Sequence, residues 1–338
     1  MTNRPESPNT ELTRILFGFM TSQAIATAAR LGVADALAAG PRTVEELAAS
    51  LKVDRTALAR LLRSTASVGV FAERDGRIAQ TELSERLCSN AADSLRDFAI
   101  YMGCDWHWNI WSGLEYSVRH GKPEFERAHG KSFFEWLPTQ AEPARVFHAA
   151  MTSFSAAASE PIVAAYDFSP LRKLVDVGGG HGHLLAAVLK QYPLLAGVVY
   201  DAPPVVEGAR GRIQELGLEG RCDAIGGDFF SGVPRGGDAY MMKHIIHDWN
   251  DELSIRILRH CRESMNPGGR VLIVEMVVPE GDSPALGKQL DLEMLLFLHS
   301  FERTAKQYES LLRAAGFDGV RCYPTNSAYS IVEGTCSR

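Results

Sequence analysis

The sequence predicts an α/β protein: a parallel, doubly wound sheet preceded by a mainly helical domain. Three observations carry this expectation. Over roughly the first hundred residues, apolar side chains recur at helical spacing. From Leu171 onward, short apolar runs alternate with helical segments. The first of those runs ends in a glycine-rich turn, Asp176-Val-Gly178-Gly179-Gly180-His181-Gly182, where a strand would hand over to a helix.

The helical part comes first. Thr13–Ala29 places Ile15, Leu16, Phe19 and Ala26 on one face, Leu31–Leu37 continues it, and Ala39-Gly40-Pro41 breaks it. Thr43 and Glu46 form a capping-box signature, and Asp54 opens a second helix through Arg60, Leu61 and Leu62. Two strand-like runs, Val70–Glu73 and Arg77–Gln80, flank Asp75-Gly76. Two helices and a hairpin make a winged-helix pattern. The first ten residues, Met1–Thr10, read as a flexible tail.

Residues 94–169 read as helical and aromatic, with Trp106, Trp108, Trp111, Phe133 and Trp136 among the large apolar fillers. Beyond them the expected strands are Leu174–Val177, Ala196–Tyr200, Cys222–Ile225, Ala239–Met242 and Val271–Val277. His183–Gln191, Asp251–Ser264 and Lys306–Ala315 are expected helices, and Val320–Pro324 with Tyr329–Glu333 a closing hairpin. The domain boundary falls near residue 110, giving 1–110 and 111–338.

Composition bounds the function. The chain has 338 residues, 46% of them apolar, which suffices for a real core, and a formal net charge of −6. An acidic chain is a poor ligand for phosphate backbones, so nucleic acid is not an expected partner. Arg55, Arg60 and Arg63 lie among Glu45, Glu46, Asp54, Glu73 and Asp75, which leaves the second helix without a basic face. Neither a polybasic run nor an apolar stretch of about 18 residues points to a membrane. The start of the chain carries no signal-peptide pattern. Six scattered cysteines without a C-x-x-C pair suit reduced, mostly buried thiols in the cytoplasm.

In an open parallel sheet, ligands sit beyond the carboxyl ends of the strands. The turn after the first strand lacks both the dinucleotide G-x-G-x-x-G spacing, since His183 stands where the last glycine belongs, and a phosphate loop. That suits a nucleoside cofactor without pyrophosphate. Asp201 ends the second strand about twenty residues on, where a carboxylate can accept from both ribose hydroxyls. Gly227-Asp228-Phe229-Phe230 follows the third strand, and there an acid can accept from an adenine amino group while a ring covers the base.

Leu174-Val-Asp-Val-Gly-Gly-Gly-His-Gly resembles the first motif of class I S-adenosylmethionine-dependent methyltransferases. Asp201, Gly227–Phe230, Lys243-His244-Ile245-Ile246-His247-Asp248-Trp249 and Pro267-Gly268-Gly269-Arg270 match as well. Together they look like the O-methyltransferases related to plant caffeate methyltransferases and their bacterial counterparts in antibiotic and pigment biosynthesis. The resemblance spans essentially the whole chain. It implies a Rossmann-like methyltransferase domain behind an N-terminal winged-helix domain that makes a homodimer. It also implies S-adenosylmethionine as donor, S-adenosylhomocysteine as product, and no metal. Gly178 and Gly180 would lie near the methionyl part, Asp201 at the ribose, Asp228 and Phe229 at the adenine, and Lys243 nearby.

Methyl transfer from a sulfonium needs an acceptor oxygen behind the methyl carbon and a base for its proton. A phenol has a pKa of about 10, so a histidine is useful. The resemblance assigns the base to His247 and two flanking acids to Glu275 and Glu302. Asp248 is a supporting residue, because neighbours along a helix diverge. His244-x-x-His247 could instead be a metal pair, but a metal would need further ligands. Phe147, Met151 and Phe154 match the family's substrate-lining helix, and Met294 and Phe297 precede Glu302; all five are candidate pocket walls. The run Leu298-His299-Ser300-Phe301 departs from the small residues usual there, which brings His299 and Phe301 to the acceptor pocket.

The expected acceptor is a hydroxyl on a planar aromatic molecule of phenolic, phenazine or polyketide type. Three alternatives stand beside it: methylation of a ring nitrogen, which needs no base; a drifted decarboxylase or hydroxylase; and a ligand-sensing DNA-binding regulator.

Overall fold

The computed structural model describes residues 7–336, with 156 and 157 described by backbone alone. The chain divides into two compact units, Met1–Asn109 with Gln140–Ala157, and Ile110–Thr139 with Ala158–Arg338. The division differs from the expected one in the segment Gln140–Ala157. There the first half of the long helix Ala141–Ala165 packs Val146 and Ala150 against Tyr101.

In the first unit, Ser7 caps a helix Pro8–Leu16, so Pro8–Thr10 belong to a helix and not to a tail. Residues 1–6 of that expected tail lie outside the described residues. The single helix expected over Thr13–Ala29 is two, broken at Phe17-Gly18; the second runs Gly18–Leu31 and stops at Gly32, whose φ of +73° makes a left-handed C-cap. The capping box at Thr43 and the Asp54 cap form as expected and open Val44–Leu51 and Arg55–Ser67. The hairpin β1 (Phe71–Arg74) and β2 (Arg77–Gln80) turns at Asp75-Gly76, both at positive φ, the geometry a two-residue hairpin needs. Leu47, Leu58, Leu62, Phe71 and Ile78 bury this helix–helix–hairpin core.

The second unit is built on a seven-stranded sheet: β3 (Lys173–Val177), β4 (Ala196–Asp201), β5 (Cys222–Gly226), β6 (Gly237–Lys243), β7 (Met265–Glu275), β8 (Gly319–Pro324) and β9 (Ser330–Thr335). Their order is β5-β4-β3-β6-β7-β9-β8. The first five are parallel and β9 runs antiparallel to both β7 and β8, so the expected hairpin closes a mixed sheet. Val175, Tyr240, Met242, Val271 and Ile273 are buried, as the central strands of a sheet covered on both faces require. Helices Asp251–Ser264 and Ala305–Ala314 contribute Ile257, Leu258, Tyr308 and Leu312 to that core. Strand order reverses between β3 and β6, which puts the ends of β3, β4, β5, β6 and β7 along one edge. The predicted cofactor residues lie at or just past the ends of β3, β4, β5 and β6.

Of the six cysteines, all free, Cys88, Cys222 and Cys261 are buried, while Cys322 is exposed. Among the described residues no helix is long and apolar enough to cross a membrane.

Candidate functional site

The turn after β3 is fixed by backbone geometry. Gly178, Gly180 and Gly182 all adopt positive φ, at +68°, +57° and +75°. A Cβ on Gly178 would collide with Ile245, whereas one on Gly180 would meet nothing within 4 Å. The chain thus presses against the β6 side at Gly178 and faces open space at Gly180. The Gly180 N–H donates to Asp201 Oδ2 at 2.8 Å, and Asp201 Oδ1 accepts from the Ala202 N–H at 2.7 Å. Asp228 accepts from the Phe230 N–H at 2.9 Å and from the Ser231 hydroxyl at 3.0 Å, which holds its turn while the residue stays exposed. Phe229 packs edge-on to Phe230 and Trp249, with centroids 4.9 and 6.1 Å away.

Two groups beneath this edge carry shifted proton affinities. Burial pushes the Asp176 carboxyl up to about 7, with Asp201 adding to the rise and Lys243 opposing it. Burial lowers the Lys243 ammonium to about 8 against the pull of Glu275 and Asp176. Its Nζ lies 5.1 Å from the centroid of the Tyr329 ring.

His247 sits on a 3-10 turn, Ile246–Asp248, just past β6. The turn is reached through His244, a non-glycine residue at φ +55°. His247 is 5% exposed. Its Nδ1 is 2.6 Å from Glu302 Oε1 and 3.5 Å from Glu275 Oε2. Asp248 reaches the other ring nitrogen, with Oδ1 3.4 Å from Nε2. The neighbours were expected to diverge as in an α-helix; the tight turn, with Trp249 extended after it, brings them together instead. Burial by itself would lower the His247 pKa. The charges of Glu275, Glu302 and Asp248 outweigh it and raise the group to about 10. Burial lifts Glu275 to about 7, an effect His247 moderates, and lifts Asp248 to about 6.

Glu275 also holds backbone. Its Oε1 accepts from the N–H groups of Ile245, Ile246 and His247 at 3.1, 3.1 and 3.4 Å. His244 Nε2 lies 2.6 Å from the Tyr329 hydroxyl, and burial holds this imidazole well below its ordinary pKa. His244, His247 and Glu275 offer ligand atoms within 4.8 Å of one another, spacing that a metal could use. The His247 Nδ1 is engaged by Glu302, however, and transfer from a sulfonium needs no Lewis acid.

The structure brings His247, Glu275, Glu302 and Asp248 together. Of the five candidate wall residues, three belong to the first unit and two to the second. Phe147 packs edge-on to Tyr101 at 5.9 Å, Phe154 stacks on Phe98 at 4.4 Å, and Met151 packs on the Tyr101 cluster, all in the first unit. Met294 and Phe297 are buried in the second, where Phe297 meets Phe125 and Phe133 at 5.4 and 5.8 Å. His299 is exposed, and Phe301 lies under the Arg303 guanidinium at 4.3 Å. Sequence reasoning gave no role to Arg303 or to the His244–Tyr329 pair. A charged residue set between an apolar helix and the Thr304–Gln307 capping box was the available signal for Arg303.

Residues 111–318 match the O-methyltransferase domain, and residues 13–90 match the O-methyltransferase dimerisation domain. The chain belongs to the O-methyltransferase family. It is 41% identical over 323 residues to phenazine O-methyltransferase PhzM of Lysobacter antibioticus, covering 95% of this chain and 94% of that one. It is 37% identical over 331 residues to the mitomycin biosynthesis 6-O-methyltransferase of Streptomyces lavendulae, covering 95% and 94%. At 33% identity, over 90% of this chain and 89% of the relative, it resembles an 8-amino-8-demethylriboflavin N,N-dimethyltransferase of Streptomyces davaonensis. The crystal structure of CalO1, a methyltransferase in calicheamicin biosynthesis in its SAH-bound form, superposes with a TM-score of 0.88 at 35% identity, covering 97% of this chain and 98% of that one. The enzyme is an S-adenosylmethionine-dependent methyltransferase. The open face of Gly180 and the Asp201 carboxylate beside it at the end of β4 fit that donor.

Proposed function

We propose that the enzyme transfers the methyl group of S-adenosylmethionine to a hydroxyl on a planar aromatic small molecule of phenazine or polyketide type, in secondary-metabolite biosynthesis, with His247 as the base. The observation that carries this reading is the 2.6 Å contact between His247 Nδ1 and Glu302 Oε1. A carboxylate accepts, so Nδ1 donates, and the nitrogen left to take a proton is Nε2. The donor, when bound, supplies an activated methyl on a sulfonium. Gly178, Gly180, Asp201, Asp228, Phe229 and Lys243 would hold it. Glu275 and Glu302 act through His247: they fix its tautomer and raise its basicity. A base near 10 matches a phenol of about 10, so the proton moves with little free-energy change. The same match leaves few neutral imidazoles at neutral pH, and turnover should rise with pH.

The acceptor class rests on the relatives named as a phenazine O-methyltransferase and a mitomycin biosynthesis 6-O-methyltransferase. The riboflavin N,N-dimethyltransferase favours a second reading, methylation of a nitrogen, which would not need His247. Mass spectrometry of reactions with hydroxyphenazines, hydroxylated polyketides and amino analogues tests both. A product heavier by one methylene on oxygen supports the first; nitrogen-only products would replace it with the second. The family's dimerisation domain supports a homodimer through the first unit, where Leu12, Ile15, Leu16, Phe17, Phe19 and Met20 are exposed. Free thiols suit a reducing cytoplasm.

A further inference from the structure

Arg303 is completely buried. A guanidinium stays charged and carries five N–H donors, so burial is tolerable only if those donors are met. Nη1 donates to the Ile246 carbonyl at 2.9 Å, and Nη2 to the Trp249 carbonyl at 2.8 Å. Nε and Nη2 donate to Asp251 Oδ1 at 3.1 and 2.8 Å. All these acceptors belong to the turn that carries His247 and to the first residue of the helix after it.

The opposite side of the same turn faces an anion. The N–H groups of Ile245, Ile246 and His247 point at Glu275 Oε1, while the carbonyls of Ile246 and Trp249 point at Arg303. The peptide dipoles of the turn are therefore stretched between a carboxylate and a guanidinium. Glu302, the residue before Arg303, grips the imidazole itself at Nδ1. Two consecutive residues thus hold one turn, one by its side chain and one by its backbone.

We propose that Arg303 is a positioning residue for the reaction, aligning the His247 turn so that Glu302 can hold Nδ1 and leave Nε2 to the acceptor. The inference rests on the base role of His247. If the turn relaxes without Arg303, the Glu302–imidazole contact at 2.6 Å loosens and the imidazolium loses one of the carboxylates that hold its proton. The pH limb of kcat then moves to lower pH. Removing a positive charge without moving the turn would push the limb the other way, to higher pH, so direction separates alignment from simple electrostatics.

The test is the pH profile of kcat for Arg303→Ala and Arg303→Lys, with S-adenosylmethionine binding by calorimetry. Alignment predicts kcat lower by about tenfold or more, donor affinity within about threefold, and a limb displaced toward acid, with Arg303→Lys between Arg303→Ala and the parent. Should Arg303→Ala fail to fold, Arg303→Lys and Asp251→Ala carry the test, each with a smaller acid displacement. A folded variant whose limb is unchanged or displaced only toward base overturns the inference. His247→Ala separates this from failure of the base reading. If His247→Ala keeps the limb and the rate, His247 is not the base. If it loses them while the Arg303 variants keep the parental limb, only the role of Arg303 fails.

Discussion

Replacing Glu302 by Gln removes one negative charge and keeps the shape of the side chain. In the structure that charge sits 2.6 Å from His247 Nδ1 and is one of three carboxylates that lift the imidazole from 6.5 to about 10. A hydrogen bond to a charged group contributes about 1.5–3 kcal/mol, equivalent to about 1–2 pKa units. The variant's His247 should therefore titrate about 1–2 units lower, still held up by Glu275 and Asp248. In the parent, about one His247 in three hundred is neutral at pH 7.5 for a pKa of about 10. In Glu302→Gln the neutral form is far more common, but each is a weaker base. The pH profile of kcat, followed as methylated product by mass spectrometry, should show its limb displaced about 1–2 units toward acid, with a lower alkaline plateau. A Glu302→Gln enzyme with an unmoved limb would refute the argument that this contact sets the basicity of His247.

Three further outcomes follow from the geometry. The His247 pKa is raised in the folded state, so its stabilising contribution is complete below about 6.5 and lost as pH rises through about 10. Calorimetric Tm should fall across that window, and less steeply in His247→Gln; equal slopes would mean the imidazole is not so held. Gly178→Ala places a side chain at φ +68° and against Ile245, which should cost about 1–3 kcal/mol in urea unfolding and weaken donor binding by calorimetry; parental values for both would contradict the tight-turn reading. Leu16→Glu, on the exposed apolar face of the first helix, should shift light-scattering mass from dimer toward monomer; an unchanged mass would place the dimer contact elsewhere.

Much of the site was legible because its residues occupy positions that topology alone makes special. Gly178, Asp201, Asp228 and Lys243 lie at or just past the ends of strands that apolar runs reveal, and Glu275 ends β7. The helices Asp251–Ser264 and His183–Gln191 form over the expected bounds. What stayed hidden depends on contacts between segments far apart in sequence. Nothing local to Arg303 says that it reaches Ile246 and Trp249, and nothing local to Tyr329 points to His244. The approach of Asp248 to Nε2 was hidden because neighbours diverge along a helix, whereas the residues after β6 form a single tight turn. The helix through Pro8–Thr10 was missed because polar composition at a terminus resembles a tail even when Ser7 caps it, and the break at Phe17-Gly18 because apolar residues continue at helical spacing across it.

The central claim is that His247 removes the acceptor's proton. It is tested most directly by single-turnover methylation of a hydroxylated aromatic acceptor by His247→Ala and the parent at saturating S-adenosylmethionine, with donor affinity checked by calorimetry. The account predicts a rate lower by about 10²–10⁴-fold with donor binding intact. A His247→Ala enzyme that methylates the hydroxyl at the parental rate would contradict it.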